Sequence, residues 1–333
     1  MDAIRLAERP LSAAAMSQAI DRIVTGAMPP AEVASFLRTL AQRGETAEEI
    51  AAAVASLRRH AQPLPLARSY ELCDTCGTGG DGQGTFNIST LGALTAAACG
   101  ARIAKHGNRA ASSRCGSADV LEALGLNLQA APSVVARGIE EVGFGFCFAP
   151  LFHPAMKVVA PIRKELGIRT IFNLIGPLAN PAPLTFQLVG VSDEKLLTPV
   201  AEALVRLNIR HGLVVRGLDG LDEITTTADT TALEVRRGVV APRTIRPESC
   251  GLARASVEAL RGGDARENAR IAREVLRGGG TEAQRDIVAL NAGCALYIAD
   301  QAATIEDGAR KARTSLASGA PWTVLERVMA LAR

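Results

Sequence analysis

The segment DTCGTGGDGQGTFNIST, residues 74–90, joins a glycine-rich loop to a run of polar side chains. Five glycines lie among the eight positions from 77 to 84. Glycine permits positive φ and close approach of the backbone, so successive N–H groups can converge on one anion. The uncharged run from Ser89 to Cys99 predicts a helix whose N-terminus points at the same place. The segment therefore predicts a cradle for phosphate or pyrophosphate, and a plain glycine-rich turn is the alternative.

This loop matches neither of two common phosphate motifs. It lacks the GK[ST] ending of a Walker A loop, and its glycines do not have the GxGxxG spacing of the dinucleotide fingerprint. Another phosphate-bearing ligand is expected.

Strand and helix patterns alternate on the carboxyl side of the loop. Short apolar runs that indicate strands occur at ARIAKHG (101–107), FGFCFAP (144–150), FQLVGV (186–191) and GLVVRG (212–217). Helical patterns lie between them at 116–125 and 192–207, and long helices follow Ala253. The alternation predicts an α/β fold in which helices cover a mostly parallel central sheet.

The segment before the loop contains helical patterns only. Gly26 and the prolines at 29 and 30 separate two helices, Gly44 ends the second, and Thr46 with Glu49 forms a capping box for a third. Residues 60–69 form a proline-rich connector. We therefore predict a small helical domain at 1–69 and a large α/β domain at 70–333.

Composition excludes several classes of protein. The 333 residues are 48% hydrophobic and 21% charged with a net charge of +3, so neither a disordered chain nor a general nucleic-acid binder is expected. The charge-free stretch from Gly82 to Ala101 opens with polar residues, which argues against a membrane segment. Seven cysteines and an N-terminus without an apolar signal core favour the cytoplasm. A single CxxC, Cys73 and Cys76, gives little support for zinc or redox chemistry.

A basic loop follows the predicted strand at 101–107. Within KHGNRAASSRCGSADVLEALG, residues 105–125, Lys105, Arg109 and Arg114 place three cations within ten residues. Burying them requires an anionic ligand, and a solvated loop is the alternative.

Two further stretches carry candidate charges. In DGLDEITTT (219–227), Asp222 and Glu223 are adjacent carboxylates after a strand, which suits Mg²⁺ beside substrate phosphates. Solvated turn acids are the commoner explanation of such a pair. In HPAMKVVAPIRKELG (153–167), Arg163 lies ten residues after His153, and taken alone it is typical of a surface arginine.

In order and spacing, GTGGDGQGTFNIST, KHGNRAASSRCGSADVLEALG, HPAMKVVAPIRKELGIRTIFNLIGPLANP and GLDEITTT resemble the motifs of the anthranilate phosphoribosyltransferases. The similarity extends from the helical start to RDIVALNAGCALY near the end. It implies a type III phosphoribosyltransferase fold, related to the pyrimidine nucleoside phosphorylases, with a helical insertion near 153–179 and a homodimer joined through the helical domain. The implied substrates are anthranilate and 5-phosphoribosyl 1-pyrophosphate (PRPP), and the implied products are phosphoribosylanthranilate and pyrophosphate.

The resemblance also assigns roles to individual residues. It implies that PRPP meets Gly77, Gly80, Asp81, Thr85, Asn87, Ile88, Ser89, Thr90, Lys105, His106, Gly107, Asn108, Arg109, Ala110, Ala111, Ser112, Ser113 and Ser117. Anthranilate is expected at Gly77, Asn108 and Arg163, with His106 and Pro177 near its ring. Two Mg²⁺ ions per subunit are implied, one held by Ser89 with Glu223 and one by Asp222 with Glu223, and the catalytic residues are expected to be Lys105, Asp222 and Glu223.

Two alternatives and two departures accompany this resemblance. A pyrimidine nucleoside phosphorylase-like enzyme would share the fold and use inorganic phosphate, and a non-catalytic relative would bind nucleic acid. The complete NIST (87–90) and HGNR (106–109) sequences, and the lack of a recognisable nucleobase-type arginine-lysine signature, argue against the phosphorylase. The intact glycine loop and the small net charge argue against the nucleic-acid-binding relative. Val158 stands where relatives often carry an aromatic residue or histidine. Arg216 stands where relatives often carry histidine. Neither position has an assigned role in the chemistry.

Overall fold

The computed structural model describes residues 7–110 and 113–332. It begins with helices α1 (Ala13–Val24), α2 (Pro30–Arg43) and α3 (Ala47–Arg59). Gly44, with φ +86°, follows α2, and reciprocal hydrogen bonds between Thr46 and Glu49 cap the start of α3. The predicted helices before the glycine loop, the end of the second at Gly44 and the capping box of the third are confirmed.

The centre of the molecule is a seven-stranded sheet, and the predicted mostly parallel central sheet is confirmed. Its strands are β1 (Leu72–Gly77), β2 (Ile103–Gly107), β3 (Phe144–Phe148), β4 (Leu184–Gly190), β5 (His211–Gly217), β6 (Thr230–Arg236) and β7 (Val239–Ile245). The spatial order is β3-β2-β1-β4-β5-β6-β7, with parallel pairing from β3 to β5 and an antiparallel β6–β7 hairpin at the edge. The chain order reverses between β1 and β4, which is where open α/β sheets bind ligands at the carboxyl ends of their strands.

Helices connect these strands and follow the last of them. They are α4 (Ile88–Ala98), α5 (Ser117–Ala123), α6 (Pro132–Arg137), α7 (Ala149–Phe152), α8 (Ala160–Leu166), α9 (Ile171–Leu178), α10 (Leu197–Arg206), α11 (Ala265–Leu276), α12 (Glu282–Ile298), α13 (Ile305–Ala317) and α14 (Ala320–Leu331). The helix predicted after the glycine loop is α4, and the predicted helical insertion contains α8 and α9. No helix in the described ranges is both long and apolar enough to cross a membrane.

Each face of the sheet carries its own apolar core. On one face, α4 and α11–α14 pack in a cluster that includes Leu94, Phe186 and Leu290. On the other face, α1–α3, α9 and α10 pack in a cluster that includes Phe36 and Val214. The N-terminal helices therefore share a continuous core with β4 and β5, and the domain boundary at residue 69 stays a prediction.

The N-terminal helices also contact the insertion through polar groups. Arg58 Nη2 donates to the Leu178 carbonyl over 2.7 Å, and the Gln62 N–H donates to the Phe152 carbonyl over 2.7 Å. These bonds join segments about 100 residues apart and hold the insertion beside the carboxyl ends of β1 and β2.

Candidate active site

The site lies where β1 and β4 end together at the reversal of strand order. Their last residues, Gly77 and Gly190, are paired across the ladder. A Cβ on Gly77 would lie 2.5 Å from Asp222 Oδ2, and a Cβ on Gly190 would lie 1.7 Å from the Asp222 carbonyl oxygen. Two glycines are therefore required here because the loop carrying Asp222 crosses directly over both strand ends.

The two neighbouring acids each accept a backbone hydrogen bond from a predicted phosphate-binding segment. Asp222 Oδ2 accepts from the Gly79 N–H at 2.7 Å, and Glu223 Oε1 accepts from the Ser89 N–H at 3.1 Å. Burial raises the pKa of Asp222, and the nearby Asp81 carboxylate raises it further. Burial also raises the pKa of Glu223, with Asp222 adding to the effect and Lys105 opposing it. The site thus concentrates more negative charge than its protein groups neutralise.

The glycine loop has an unusual backbone. Gly79, Gly80, Gly82 and Gly84 all have φ between +66° and +84°. An L side chain rarely adopts this conformation, so these glycines set the path of the loop. Gln83 joins the loop to the acid-bearing segment because its Nε2 donates to the Asp219 carbonyl at 3.0 Å.

Lys105 reaches this region from β2. Its side chain is 2% exposed, and its Nζ donates to the Thr75 carbonyl oxygen. Asp74 lies beside it, and burial raises the pKa of Asp74 to about 6 while the Lys105 charge opposes the increase. Asp74 accepts hydrogen bonds from the His106 N–H at 3.2 Å and from Asn180 Nδ2 at 2.8 Å. These bonds fix the end of β2 against β1.

The charge argument made for the basic loop is wrong for Arg109. Its guanidinium is 46% exposed and pairs with Asp119 at 3.1 Å and Glu122 at 2.7 Å, both on α5. The helix that follows the loop therefore carries acids that neutralise Arg109 without a ligand. Two predicted donor contacts, Ala111 and Ser112, lie outside the described residues.

Several predicted donor contacts support the loops in this conformation. Asn87 Nδ2 donates to the Cys115 carbonyl at 3.1 Å, and Asn87 Oδ1 accepts from Asn268 Nδ2 at 2.9 Å. The Ala110 N–H donates to Asp119 Oδ2 at 2.8 Å. The remaining predicted contacts lie at the start of α4 (Ile88, Thr90), in the bridge before it (Thr85), at the end of β2 (Gly107) and around the start of α5 (Asn108, Ser113, Ser117).

Of the predicted acceptor residues, Arg163 and Pro177 lie in the insertion, Gly77 ends β1, and His106 and Asn108 lie at and just after the end of β2. The His106 and His153 rings are 5.1 Å apart, and His106 Nε2 has no hydrogen-bond partner in the described chain. Burial lowers the pKa of His106 to about 3 and that of His153 to about 4, so both rings are neutral near pH 7. Pro177 lies next to the end of β1, where its carbonyl accepts a hydrogen bond from Cys76 Sγ at 3.4 Å.

Arg163 is on α8, where its charge is weakly compensated. Its Nη2 lies 3.4 Å from Asn173 Oδ1, and its guanidinium lies 5.8 Å from the Phe172 ring centroid. Burial lowers its pKa. Among the described residues, the Arg163 guanidinium has no carboxylate within 4.0 Å. Its hydrogen bond goes to Asn173 and does not reach the glycine loop.

The two cysteines of the CxxC belong to different cores. Cys73 packs on the face that contains α4, whereas Cys76 packs on the face that contains the N-terminal helices. Side chains on opposite faces of a strand cannot ligate one ion together. Within the described ranges, no group of three or more His, Cys, Asp or Glu side chains is arranged to hold a metal.

A cleft of about 540 Å³ lies beside the glycine loop. It is lined by Ser192, Asp193, Glu194, Lys195 and Arg216. Arg216 Nε donates to the Ser192 carbonyl at 3.2 Å, so one of the two departures borders the site. Val158, the other departure, is 45% exposed on the insertion.

Sequence reasoning missed residues that shape the site from behind. Gly190 ends a strand, where a glycine between valines signals close backbone approach. Asn291 is a lone amide within the apolar run VALNAGCALY, and a buried amide must find hydrogen-bond partners. Asp219 accepts from the hydroxyl of Thr225 at 2.6 Å and from the Leu221 N–H at 3.1 Å, which holds the acid-bearing loop.

Comparisons with known proteins agree with this geometry. The helical bundle domain model of the glycosyl transferase family matches residues 4–61, and the a/b domain model of that family matches residues 69–321. An anthranilate phosphoribosyltransferase of Thermomicrobium roseum is 51% identical over 317 residues, covering 94% of this chain and 91% of that protein. The chain belongs to the anthranilate phosphoribosyltransferase family.

Solved structures of this family superpose on the chain. The anthranilate phosphoribosyltransferase of Thermus thermophilus has a TM-score of 0.95 at 46% identity, and the match covers 100% of both chains. The enzyme of Saccharomyces cerevisiae in complex with PRPP and Mg has a TM-score of 0.87 at 29% identity, covering 97% of this chain and 93% of that one. The yeast enzyme has also been solved with 4-fluoroanthranilate. The predicted family and fold class are confirmed.

Proposed function

We propose that this chain carries out its family's reaction, the transfer of the phosphoribosyl group of PRPP to the amine of anthranilate in tryptophan biosynthesis. The products are N-(5-phosphoribosyl)anthranilate and pyrophosphate. The observation that carries the proposal is the meeting of Asp222 and Glu223 with the glycine loop and the α4 N-terminus at one edge of the sheet. Acidic groups facing anion-binding amides suit a substrate that arrives as a metal complex of a pyrophosphate.

The donor is assigned to the loops that follow β1 and β2. We assign the pyrophosphate to the amides of the glycine loop and of the first turn of α4, with Lys105 as the nearby buried cation. The Gly79 and Ser89 amides, which donate to Asp222 and Glu223 in this structure, would exchange those bonds for the ligand. The segment from His106 to Ser117 is assigned to the phosphoribosyl moiety. Arg109 can serve there only after releasing Asp119 and Glu122.

The adjacent carboxylates of Asp222 and Glu223 suit Mg²⁺, which takes few protein ligands and keeps several waters. Burial raises the pKa of both groups, and repulsion from Asp81 on Asp222 and from Asp222 on Glu223 raises it further, so a bound divalent cation would stabilise their charged forms. We assign one ion to Ser89 with Glu223 and a second to Asp222 with Glu223. Bound there, Mg²⁺ supplies positive charge to the departing pyrophosphate.

The chain's own groups complete the chemistry. Lys105 and the loop amides stabilise the negative charge that grows on the leaving group, and such preorganised electrostatic contacts are usually the largest catalytic contribution. The amine of anthranilate is neutral at physiological pH, so the protein needs no strong general base. His106, neutral in this site, serves as a surface for the aromatic ring.

Anthranilate is assigned to the side of the site closed by the insertion. Arg163 is the partner proposed for its carboxylate, since the guanidinium is partly buried and has only a weak contact with Asn173. Gly77, Asn108 and Pro177 complete the proposed pocket.

We further propose a cytoplasmic homodimer joined through the helical domain, which acts on small molecules without nucleic acid or membrane partners. The cysteines support a reducing compartment because all seven are free thiols.

The experiment that tests the function is a fluorescence assay of anthranilate consumption with purified protein. With PRPP and Mg²⁺ present, the anthranilate signal should fall and pyrophosphate should accumulate in equal amounts. Omitting PRPP is the control. Loss of anthranilate that does not depend on PRPP, or no loss at all, would contradict the proposal, and phosphate-dependent cleavage of a pyrimidine nucleoside would favour the related phosphorylases.

A further inference from the structure

Asn291 on α12 is a buried amide that holds the segment next to the two acids. Its side chain is 2% exposed. Asn291 Oδ1 accepts from the Ile224 N–H at 3.1 Å, and Asn291 Nδ2 donates to the Ile224 carbonyl at 2.7 Å and to the Ile287 carbonyl at 2.9 Å. One amide therefore satisfies both backbone groups of the residue that follows Glu223.

An amide side chain offers a donor nitrogen and an acceptor oxygen bonded to the same carbon, which suits the N–H and carbonyl of one residue. A carboxylate would lack the donor, and an aliphatic side chain would leave the Ile224 N–H and carbonyl buried without partners. The requirement is specific because Ile224 lies outside the regular strands and its backbone has no ladder to bond with.

Asn291 also contacts α4, the helix whose first turn carries Ser89 of the proposed metal site. A Cβ on Gly92 of α4 would lie 3.4 Å from Asn291 Cβ and 3.5 Å from the Ala292 nitrogen, so the two helices touch at this point. The first turn of α4 presents the Ser89 N–H to Glu223. Asn291 thus links the helix that carries Ser89 to the loop that carries Glu223.

We propose that Asn291 is a positioning residue that fixes Glu223 relative to Ser89 and Asp222 so that Mg²⁺ and the pyrophosphate can bind together. This inference rests on the function proposed above. Asp222 and Glu223 repel each other, and a loop free to move would separate them. The hydrogen bonds from Asn291 to Ile224 oppose that movement on the carboxyl side of the acid pair. The bond from the Leu221 N–H to Asp219 opposes it on the amino side.

The test compares Asn291→Ala with Asn180→Ala. Asn180 is also a buried amide with three hydrogen bonds: it donates to Asp74 Oδ2 and to the Ala104 carbonyl, and it accepts from the Ala182 N–H. None of these bonds reaches the acid-bearing loop. The first readout is the rise in melting temperature caused by PRPP as Mg²⁺ is titrated without acceptor, so that no turnover occurs. The second is the division of any activity loss between kcat and the KM for anthranilate.

For Asn291→Ala we expect the Mg²⁺ midpoint of the PRPP-induced stabilisation to rise by roughly tenfold or more, and kcat to fall while the KM for anthranilate changes little. Asn180→Ala should lose comparable stability while keeping a wild-type Mg²⁺ midpoint. Asn291→Ser, which retains a hydroxyl, should show a smaller shift, and it serves as the test variant if Asn291→Ala does not fold.

The outcomes separate two failures. If PRPP and Mg²⁺ do not stabilise the wild-type protein together, the proposed metal site is wrong. If they do, and an Asn291 variant keeps the wild-type midpoint, or Asn180→Ala shifts it equally, the positioning role is overturned and Asn291 is an ordinary stabilising residue.

Discussion

Glu223, in the loop between β5 and β6, and Glu234, on β6, are two glutamates with opposite surroundings. Glu234 on β6 accepts hydrogen bonds from Tyr297 at 2.7 Å and pairs with His211 at 2.9 Å and Arg243 at 2.8 Å. Burial raises the pKa of Glu234, but these partners outweigh burial and the net shift is downward. Glu223 has one backbone donor, and its pKa is raised.

The difference shows how a binding site can be distinguished from a structural charge cluster. The protein surrounds Glu234 with enough donors to make it a stabilising element, near the amino end of β5 and away from the carboxyl ends of β1 and β4. Around Glu223 and Asp222 it leaves negative charge for something else to neutralise. Strongly perturbed, under-compensated carboxyls in a cleft are the physical mark of a functional site.

Removing the under-compensated charges should have the largest effect on activity. Asp222→Asn with Glu223→Gln keeps size and most hydrogen bonding but removes two negative charges. We expect turnover to fall by roughly a hundredfold or more, with partial rescue at high Mg²⁺, because the leaving group loses cationic help. The apo protein should melt at the same temperature or higher, since the variant relieves repulsion. A Mg²⁺ titration of activity measures this, and superimposable curves for variant and wild type would show ordinary solvated acids.

Arg163 extends the comparison to a cation that lacks a strong partner. Arg163→Ala should raise the KM for anthranilate by roughly tenfold to a hundredfold, since losing a charged hydrogen bond costs about 1.5–3 kcal/mol. The KM for PRPP should change much less. Arg169→Ala is the control, because Arg169 in the same insertion already pairs with Glu45 at 2.8 Å. Equal changes in both KM values would indicate a displaced helix instead.

Glu234→Gln tests the well-compensated side of the comparison. It removes the ion pair with Arg243 and weakens the bonds from Tyr297 and His211, so the free energy of unfolding should fall by about 1–3 kcal/mol. Urea denaturation measures this change. The Mg²⁺ dependence of activity should stay at the wild-type value, and a shift in that dependence would show that the two clusters are coupled.

The smallest expected effect is a pH dependence of stability from the same cluster. Burial lowers the pKa of His211, although Glu234 opposes this, and Arg236 and Asp300 also act on the ring. As the pH falls through about 6.5, the unfolded chain takes up a proton before the folded one, so folding loses stability. The neutral, buried His106 and His153 act in the same direction, since their pKa values are lowered to about 3 and about 4. The melting temperature should therefore drop by roughly a few degrees between pH 7 and pH 5.5, and by a slightly smaller amount in His211→Gln. An equal drop in both proteins would assign the effect to other groups.

Much of this architecture could be predicted because local patterns were strong. The capping box at Thr46 and Glu49, the strand at 103–107 and the helix after the glycine loop each depend on neighbours in the sequence. The acid pair was found for the same reason. Asn291 and Gly190 stand out locally as a lone amide in an apolar run and a glycine between valines. Their roles arise from contacts with residues 67 and 32 positions away, and a local pattern does not identify those partners.

The basic loop shows the opposite failure. Counting Lys105, Arg109 and Arg114 indicated an excess of positive charge, yet Asp119 and Glu122 within the same 21-residue motif neutralise one of them. A count of charges omits pairing geometry. Arg109 pairs with two acids one turn apart on α5 because the loop folds back onto that helix. A count along the sequence does not contain this contact.

The shared core of the N-terminal helices bears on how the chain folds during synthesis. Helices α1–α3 leave the ribosome before the elements that cover them. Their apolar cover comes from α9, β4, α10 and β5, and β5 ends at residue 217. At about 5–20 residues per second, roughly ten to thirty seconds separate the two events. The nascent bundle therefore carries an uncovered apolar face for that interval, which makes this segment the natural place for a chaperone to act.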